Sequence, residues 1–559
     1  MKVFSRICAL TTALVIIFVF TISTSAAKVE ASQTNANASV VAVESNREIT
    51  GTKLDSDITL PSSFSSRDLG LTTGIRNQLY NACWTYGAMA TLESAALKLG
   101  IQIQQFSPMH ANHWGTLRAD GTGWNRDYTQ GGYSYIALGY LSSWQGPLLE
   151  TDFPEYTNSS QFDSITQNAQ KQMAVNGIIY LDTGDKDTVK TAIYNYGAAL
   201  GNYHVDHSLY NSKTYAYYCN TQGLSTPQLN GHAISIVGWD DNFSKENFLE
   251  IARPEKDGAW LCKNSWGNSF GDSGYFYISY EDEYLFDTRF GHSYAFCDTN
   301  IYDNSQKLYQ NEIDGATYEF EYIDSDTITY INVFGIEDNF STIDKVNFET
   351  TSQGALYNIY SIPLNNNGVP HRDKSKWTCV GSGVVPYQGY ISIDIVDFVV
   401  ENLKFAIGVE LTDNNGSGNS IGVSEWLTSN GSRIFTPQST YGMSFLQYDN
   451  LYELDVMDFY KEANDDEIGG TFVIKAVAKE TKPTYQLGDV DKNGKLTILD
   501  ATTIQLYLVQ KLQLDTQQLE LADANQDSRV SIIDATVIQQ ILVNKGDSFD
   551  DFEEFIDLQ

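Results

Sequence analysis

Two stretches near the C-terminus, GDVDKNGKLTILDATTIQLYLVQK from Gly488 and ADANQDSRVSIIDATVIQQILVNK from Ala522, are one unit written twice, with Asp489 recurring 34 residues on as Asp523. A unit repeated at this interval must fold as a pair of equivalent pieces, which restricts that region more than its composition does. Each copy opens with side-chain oxygens at positions one, three, five and twelve of a twelve-residue loop: Asp489, Asp491, Asn493 and Asp500, then Asp523, Asn525, Asp527 and Asp534. Lys495 and Arg529 would add backbone carbonyls, and Thr497 and Ser531 occupy the ninth positions. Hard oxygen ligands at this spacing call for Ca2+, one ion in each of two loops. A helix is expected after each loop. Gly494 supplies the turn at position six, whereas Ser528 stands there in the second loop, which predicts a less easy turn and weaker binding.

The rest of the 559-residue chain is long enough for two to four domains in all. Its 70 acidic residues against 35 basic ones, a net charge of −35, argue against nucleic acid or an anionic membrane as partner. Lys2 and Arg6, an apolar run from Ile7 to Phe20 and small residues through Ala27 have the layout of a secretory signal, 1–27, with a retained anchor as the alternative. No membrane contact is expected once that segment is cleaved. A polar stretch, 28–59, reads as a disordered leader or short pro-segment. Beyond the signal the cysteines are Cys83, Cys219, Cys262, Cys297 and Cys379, an odd and sparse set that implies no disulfide framework and at least one free thiol.

A free thiol outside the cell needs a reason, and Cys83 offers one. After it, Met89, Leu92, Ala96 and Leu97 fall at helical spacing before Gly100, so Cys83 stands at a helix N-terminus, where unpaired N–H groups and the helix dipole favour a thiolate. In NGHAISIVGWDD, His232 opens a strand and can take the thiol proton and later protonate a leaving amine. Asn264, in AWLCKNSWGNSFGDSGYFYISY, has an amide oxygen that can fix the imidazole, with Trp266 shielding that bond from water.

The blocks QLYNACW, GHAISIVGWDD and KNSWGNSFGDSGYF together resemble, in order, the three active-site blocks of the papain-like cysteine peptidases, over about Leu60 to Tyr294. The resemblance implies a two-lobed α+β fold with Cys83 and His232 facing each other across a cleft, peptide hydrolysis without a catalytic cofactor, and Gln78 as an oxyanion-hole residue beside the Cys83 N–H. It also implies that Gly131 and Gly132, in QGGYSYIALGYLSSWQGPLLETDFP, let the substrate backbone approach closely. Gln78 lies five residues before Cys83, one fewer than is usual in the family, so the oxyanion loop is short.

Each duplicated loop is followed, not preceded, by a helix, and in this the C-terminal region, 488–546, resembles a dockerin, the module that anchors enzymes on cellulosome scaffolds by binding a cohesin. That resemblance assigns cohesin contacts to Ile498, Leu499, Ala501 and Thr502 and to Ile532, Ile533, Ala535 and Thr536, the alternative being that some are core. From 301 to 479 short alternating runs predict an all-β sandwich, which more loosely resembles the lectin-like domain of some bacterial relatives. A linker, 480–487, and an acidic tail, 547–559, complete the expected organisation, with the peptidase region at 60–296. The expected partners are a cohesin of a scaffoldin and a protein or peptide substrate, with carbohydrate or a peptidase inhibitor as further candidates. The expected function is a secreted cysteine endopeptidase. Its alternative is an inactive peptidase fold kept as a binding module beside a carbohydrate-binding domain.

Overall fold

The computed structural model describes residues 5–9 and 58–543 apart from 158, 221–228, 323–324, 337–339, 401, 415, 430–431, 449–451, 459–468 and 481–484. The expected signal segment, leader and acidic tail lie outside these residues, but for 5–9 and 58–59. The chain forms two compact units, 1–480 and 481–559. Among the described residues no helix is long and apolar enough to cross a membrane, and Cys83, Cys219, Cys262, Cys297 and Cys379 form no disulfide.

In the first unit, helices Cys83–Lys98, Pro108–Trp114 and Ser134–Ser142 build one lobe. The first is not the one-sided amphipathic helix its spacing suggests: every residue from Trp84 to Ala96 is buried. It is wrapped on all sides because its strand-facing side is as closely packed as the rest. Gly87 comes so near that a Cβ there would lie 3.5 Å from the backbone of Ala233, and Thr91 Oγ1 bonds Ser235 Oγ at 3.0 Å.

The strands behind that helix belong to one thirteen-stranded sheet. From one edge it runs through Gln306–Tyr309, Ile474–Lys479, Thr342–Thr350 and Gly389–Val399, then directly into Met173–Tyr180, Tyr294–Ile301, Ala199–His204, Gly231–Asp240, Ala259–Lys263 and Tyr275–Ser279. The join is the pairing of Gly389 with Ile179 and Tyr390 with Ile178. The β-sandwich and the papain-like region thus share backbone hydrogen bonds.

A second, six-stranded sheet, which includes Thr327–Gly335, Leu356–Ile362 and Lys404–Thr412, closes the sandwich. Ile328, Tyr330, Val346, Phe348, Ile391, Ile407 and Val409 fill the space between, each fully buried aliphatic or aromatic side chain contributing about 1.5–3 kcal/mol. The alternation from Phe405 to Leu411 does not mark a solvent face. Ala406 on the other side packs with Ile331, Ile362 and Trp377, so both faces of the strand are covered. Trp377 is buried there, its Nε1 donating to the His371 carbonyl at 2.6 Å.

The second unit has helices Ile498–Leu508, Thr516–Ala522 and Ile532–Val543 around a small core of Val490, Ala501, Ile504, Ala524, Ala535 and Ile538.

Candidate active site

Cys83 is the first residue of its helix, preceded by Ala82, which supplies no side-chain cap, so the first N–H groups of the helix are left for a ligand at the sulfur. His232 lies at the start of the strand Gly231–Asp240, paired with Tyr203. Its Nε2 is 2.8 Å from Asn264 Oδ1, which leaves Nδ1 as the ring nitrogen available to a thiol. Trp266 lies over the imidazole with ring centroids 4.4 Å apart and covers that hydrogen bond. Asn264 Oδ1 is itself oriented by the Ser265 N–H at 2.7 Å.

Cys83 and His232 line the same cleft, of about 320 Å³, with Trp84, Gly131, Gly132, Tyr133, Asn202, Leu229 and Phe290. Burial pushes the Cys83 thiol up, while the N–H groups of Ala233 and Trp84 and its own act in the opposite direction. Burial also drives His232 down to about 4, against a smaller upward pull from Asn264. Each charge taken singly is therefore disfavoured, and the helix terminus alone does not deliver the expected low thiol pKa. A thiolate here requires the imidazolium as its counter-ion.

The segment carrying Gln78 is laced to the segment carrying Asn264. The Gln78 N–H donates to the Ser265 carbonyl at 2.7 Å and the Gly267 N–H to the Arg76 carbonyl at 2.9 Å. Ser265 Oγ donates to Gln78 Oε1 at 2.7 Å, and Gln78 Nε2 donates to the Tyr80 carbonyl at 3.1 Å. Within the loop Tyr80 takes a φ of 54°, a conformation unusual for a bulky residue. Beneath the loop, buried Arg76 is paired with buried Glu93 at 2.5 Å, and Lys263, next to Asn264, donates to Thr73 at 2.9 Å. Gln78, five residues before Cys83, is thereby held against Ser265, and it does not line the cleft described above.

The two acidic loops of the second unit are built alike. Gly494 N–H bonds Asp489 Oδ2 at 2.8 Å, and Ser528 N–H bonds Asp523 Oδ2 at 2.8 Å. Asp500 and Asp534 each accept from the residue at position three of their loop, Asp491 at 3.0 Å and Asn525 at 3.1 Å. Asp489, Asp491 and Asp500 offer oxygens within 4.8 Å of one another. Asp489, Asp500 and Asp534 are buried carboxylates, and Asp523 Oδ1 is buried with no partner among the described residues. Such a donor set suits a hard divalent cation. Asn493 and Asp527 accept from the N–H groups of Lys495 and Arg529 at 2.9 and 2.8 Å, which keeps both loops closed. Thr497 and Ser531 accept from Leu499 and Ile533 N–H groups and so cap the helices that follow.

Ile498, Leu499, Ile532 and Ile533 are large apolar side chains left 41–58% exposed, and Thr502 and Thr536 lie beside them on the surface. Ala501 and Ala535 correct the expectation. Both are fully buried, as the core alternative has it, because two residues on from Leu499 and Ile533 the helix has turned about 200°, to the core side.

Three family profiles match: papain family cysteine protease over 60–289, lectin-like domain over 308–478 and dockerin type I domain over 487–543. The crystal structure of the cysteine protease and lectin-like domains of Cwp84, a surface layer associated protein of Clostridium difficile, is 32% identical, the match covering 78% of this chain and 91% of that one with a TM-score of 0.67. A clostridial Cwp84 structure after propeptide cleavage is 33% identical over 75% of this chain and 100% of that one, again at 0.67. The chain belongs to the papain family of cysteine proteases. Among curated relatives, cathepsin B-like cysteine proteinase 3 of Caenorhabditis elegans is 27% identical over 248 residues, and cathepsin S of Bos taurus 26% over 226. These matches cover 39% and 40% of this chain, and the chain spans 61% of the length of each relative.

For this papain-family cleft the remaining wall is informative. Gly132 must be glycine, since a Cβ would lie 2.6 Å from the Trp84 ring, while a Cβ at Gly131 would make only van der Waals contact with Asn81, at 3.9 Å. The N–H and C=O of Gly132 make no hydrogen bond among the described residues, so a peptide backbone can pair with them. Sequence reasoning missed Tyr133, Asn202, Leu229 and Phe290. Asn202 Nδ2 reaches the carbonyls of Gly291 and His292 at 3.4 and 3.3 Å and ties down the segment that brings Phe290 into the cleft. Only Tyr133, next to the glycine pair, had a local signal.

Proposed function

We propose that this protein is a secreted cysteine endopeptidase that is anchored through a calcium-loaded dockerin to a cohesin-bearing, cellulosome-type scaffold. The observation that carries the peptidase reading is the 2.8 Å bond between His232 Nε2 and Asn264 Oδ1, with Cys83 in the same cleft. Cys83 Sγ attacks the scissile carbonyl as its proton passes to His232 Nδ1. His232, kept in position by Asn264, then protonates the leaving amine, and water completes the turnover. The Cys83 N–H is assigned to the tetrahedral oxyanion, joined by the Gln78 amide once its Nε2 releases the Tyr80 carbonyl. Gly131 and Gly132 receive the substrate backbone, and Trp266 keeps the imidazole dry.

Asp489, Asp491, Asn493 and Asp500, with the Lys495 carbonyl and Thr497, are assigned to one Ca2+, and Asp523, Asn525, Asp527 and Asp534, with the Arg529 carbonyl and Ser531, to a second. The ion neutralises carboxylates that otherwise repel one another. The exposed Ile498, Leu499, Thr502 and their counterparts Ile532, Ile533 and Thr536 are assigned to the cohesin. The surface-layer association stated for Cwp84 supports a place of action outside the cell.

Purified protein should hydrolyse an unfolded protein substrate, and Cys83→Ala or a thiol-trapping epoxide should remove that activity. A wild type that is alkylated at Cys83 yet hydrolyses nothing would sink the peptidase reading.

A further inference from the structure

The cleft wall formed by Gly131, Gly132 and Tyr133 is supported from outside the papain-like region. Arg126 is its central prop. Its Nε donates to the Gly131 carbonyl at 3.0 Å, and its two terminal nitrogens reach the carbonyls of Gln130 at 2.6 Å, Asn112 at 3.0 Å and Gly115 at 2.8 Å and Asn112 Oδ1 at 2.7 Å. All five guanidinium N–H groups are used, and the plane lies 5.1 Å from the Trp84 ring beside Cys83.

What fixes Arg126 comes from the lectin-like domain. The Asn125 N–H donates to the Ile434 carbonyl at 2.8 Å, and Asn125 Nδ2 donates to the Arg433 carbonyl at 3.0 Å. Trp124 and Gly123 pair as a strand with Phe435 and Thr436, in the hairpin of Leu427–Ser429 and Ser432–Thr436. An aromatic series runs the same way: Phe435 against Trp124 with centroids 4.4 Å apart, Trp124 against Tyr135 at 5.2 Å, and Tyr135 stacked on Tyr133 at 5.1 Å. At the other end of the segment, Arg118 makes a two-pronged pair with Asp314 at 2.9 and 2.5 Å. Asp314, like the hairpin, lies in the stretch matched by the lectin-like profile.

We propose that the strand Ser432–Thr436 is a working part of the peptide-binding wall, with Arg126 as the positioning residue that carries its geometry to Gly131. A contact serving only to join two domains would end in apolar area. This one ends, by both routes, on the residues that flank the free backbone of Gly132. The inference rests on the reading of the cleft as a peptide site.

The test uses the full chain in two forms. In active protein, Arg126→Lys and Arg126→Gln should raise KM for a peptide that spans several residues on the acyl side by roughly tenfold, with kcat changed less than threefold, because what is lost is ground-state alignment. Arg126→Lys should not rescue, since an ammonium cannot serve five acceptors. Alkylation of Cys83 by iodoacetamide, which needs no wall, should keep its rate. On a Cys83→Ala background the same variants should weaken binding of that peptide by a similar factor, a readout that needs no turnover and so separates failure of this inference from failure of the peptidase reading. Phe435→Leu, made in the other domain, should reproduce the KM effect in part and serves if the Arg126 variants do not fold. Unchanged KM and unchanged peptide affinity in folded Arg126→Gln or Phe435→Leu protein would overturn the proposal, as would equal losses in kcat and in the iodoacetamide rate.

Discussion

The cleft and the acidic loops are both built from residues of a few fixed types, but they are assembled over very different spans. Cys83, His232 and Asn264 come from a helix, a strand and a loop scattered over nearly two hundred positions, and their alignment needs the whole lobe interface to form. Each acidic loop closes on itself within twelve residues, and its hydrogen bonds run from one loop position to another. A site of the first kind fails globally or through its chemistry, whereas one of the second kind fails locally and through its ion. His232→Ala should sharpen that contrast most, lowering kcat/KM on the order of 10⁴-fold in a peptide assay while leaving cohesin binding untouched. Chelation should do the reverse: EDTA should abolish cohesin binding and reduce the helicity of the dockerin, with peptide hydrolysis unchanged. Loss of hydrolysis on chelation would break the comparison.

The same contrast explains what could be read in advance. Cys83, His232 and Asn264 were legible because the chemistry demands those residue types at element ends, each among distinctive neighbours. The closed acidic loops were legible because position along the chain is nearly position in space. Arg126 and Phe435 were not, since nothing near either one in sequence signals that they meet through Asn125 and Trp124. The shared sheet was hidden for a related reason: the pattern of Tyr390–Ile395 says strand, but not that Gly389 and Tyr390 pair with Ile179 and Ile178. For Ala501 and Ala535 position in a family motif left cohesin contact and core both open, and helix geometry turns them to the core.

Beneath the cleft, Glu93 accepts from Arg76 and from the Phe106 N–H at 2.8 Å, fully buried, so Glu93→Gln would leave the buried Arg76 guanidinium with only the partly exposed Glu150, at 3.0 Å, as counter-charge. Unfolding by urea should show a loss of about 3–5 kcal/mol, far more than for a surface ion pair. A loss under about 1 kcal/mol would mean that the cluster is not what sets the Gln78 segment. The pH dependence is a gentler probe. With His232 brought down to about 4 from an ordinary 6.5, the imidazole stays unprotonated through the mildly acid range, and the acid limb of kcat/KM should fall near pH 4. The unfolded chain binds that proton more readily, so this residue's stability contribution is complete above about pH 6.5 and is lost as pH falls toward 4. Asn264→Ala removes the upward pull of the hydrogen bond and should move the acid limb lower still while reducing kcat.

The smallest effect tests the near-equality of the two loops. Gly494 adopts φ 79° and Ser528 φ 69°, the same left-handed turn, with the same N–H bond to the first aspartate. Serine reaches that conformation only against its Cβ, at a cost of about 1 kcal/mol that glycine avoids. Ser528→Gly should therefore tighten calcium binding at the second loop severalfold in a titration and leave the first loop as it is. Gly494→Ser should weaken the first loop by a similar factor and make the pair nearly equivalent. If Ser528→Gly instead weakens the second site, the serine side chain contributes something the backbone argument leaves out, and the two loops are not the same device written twice.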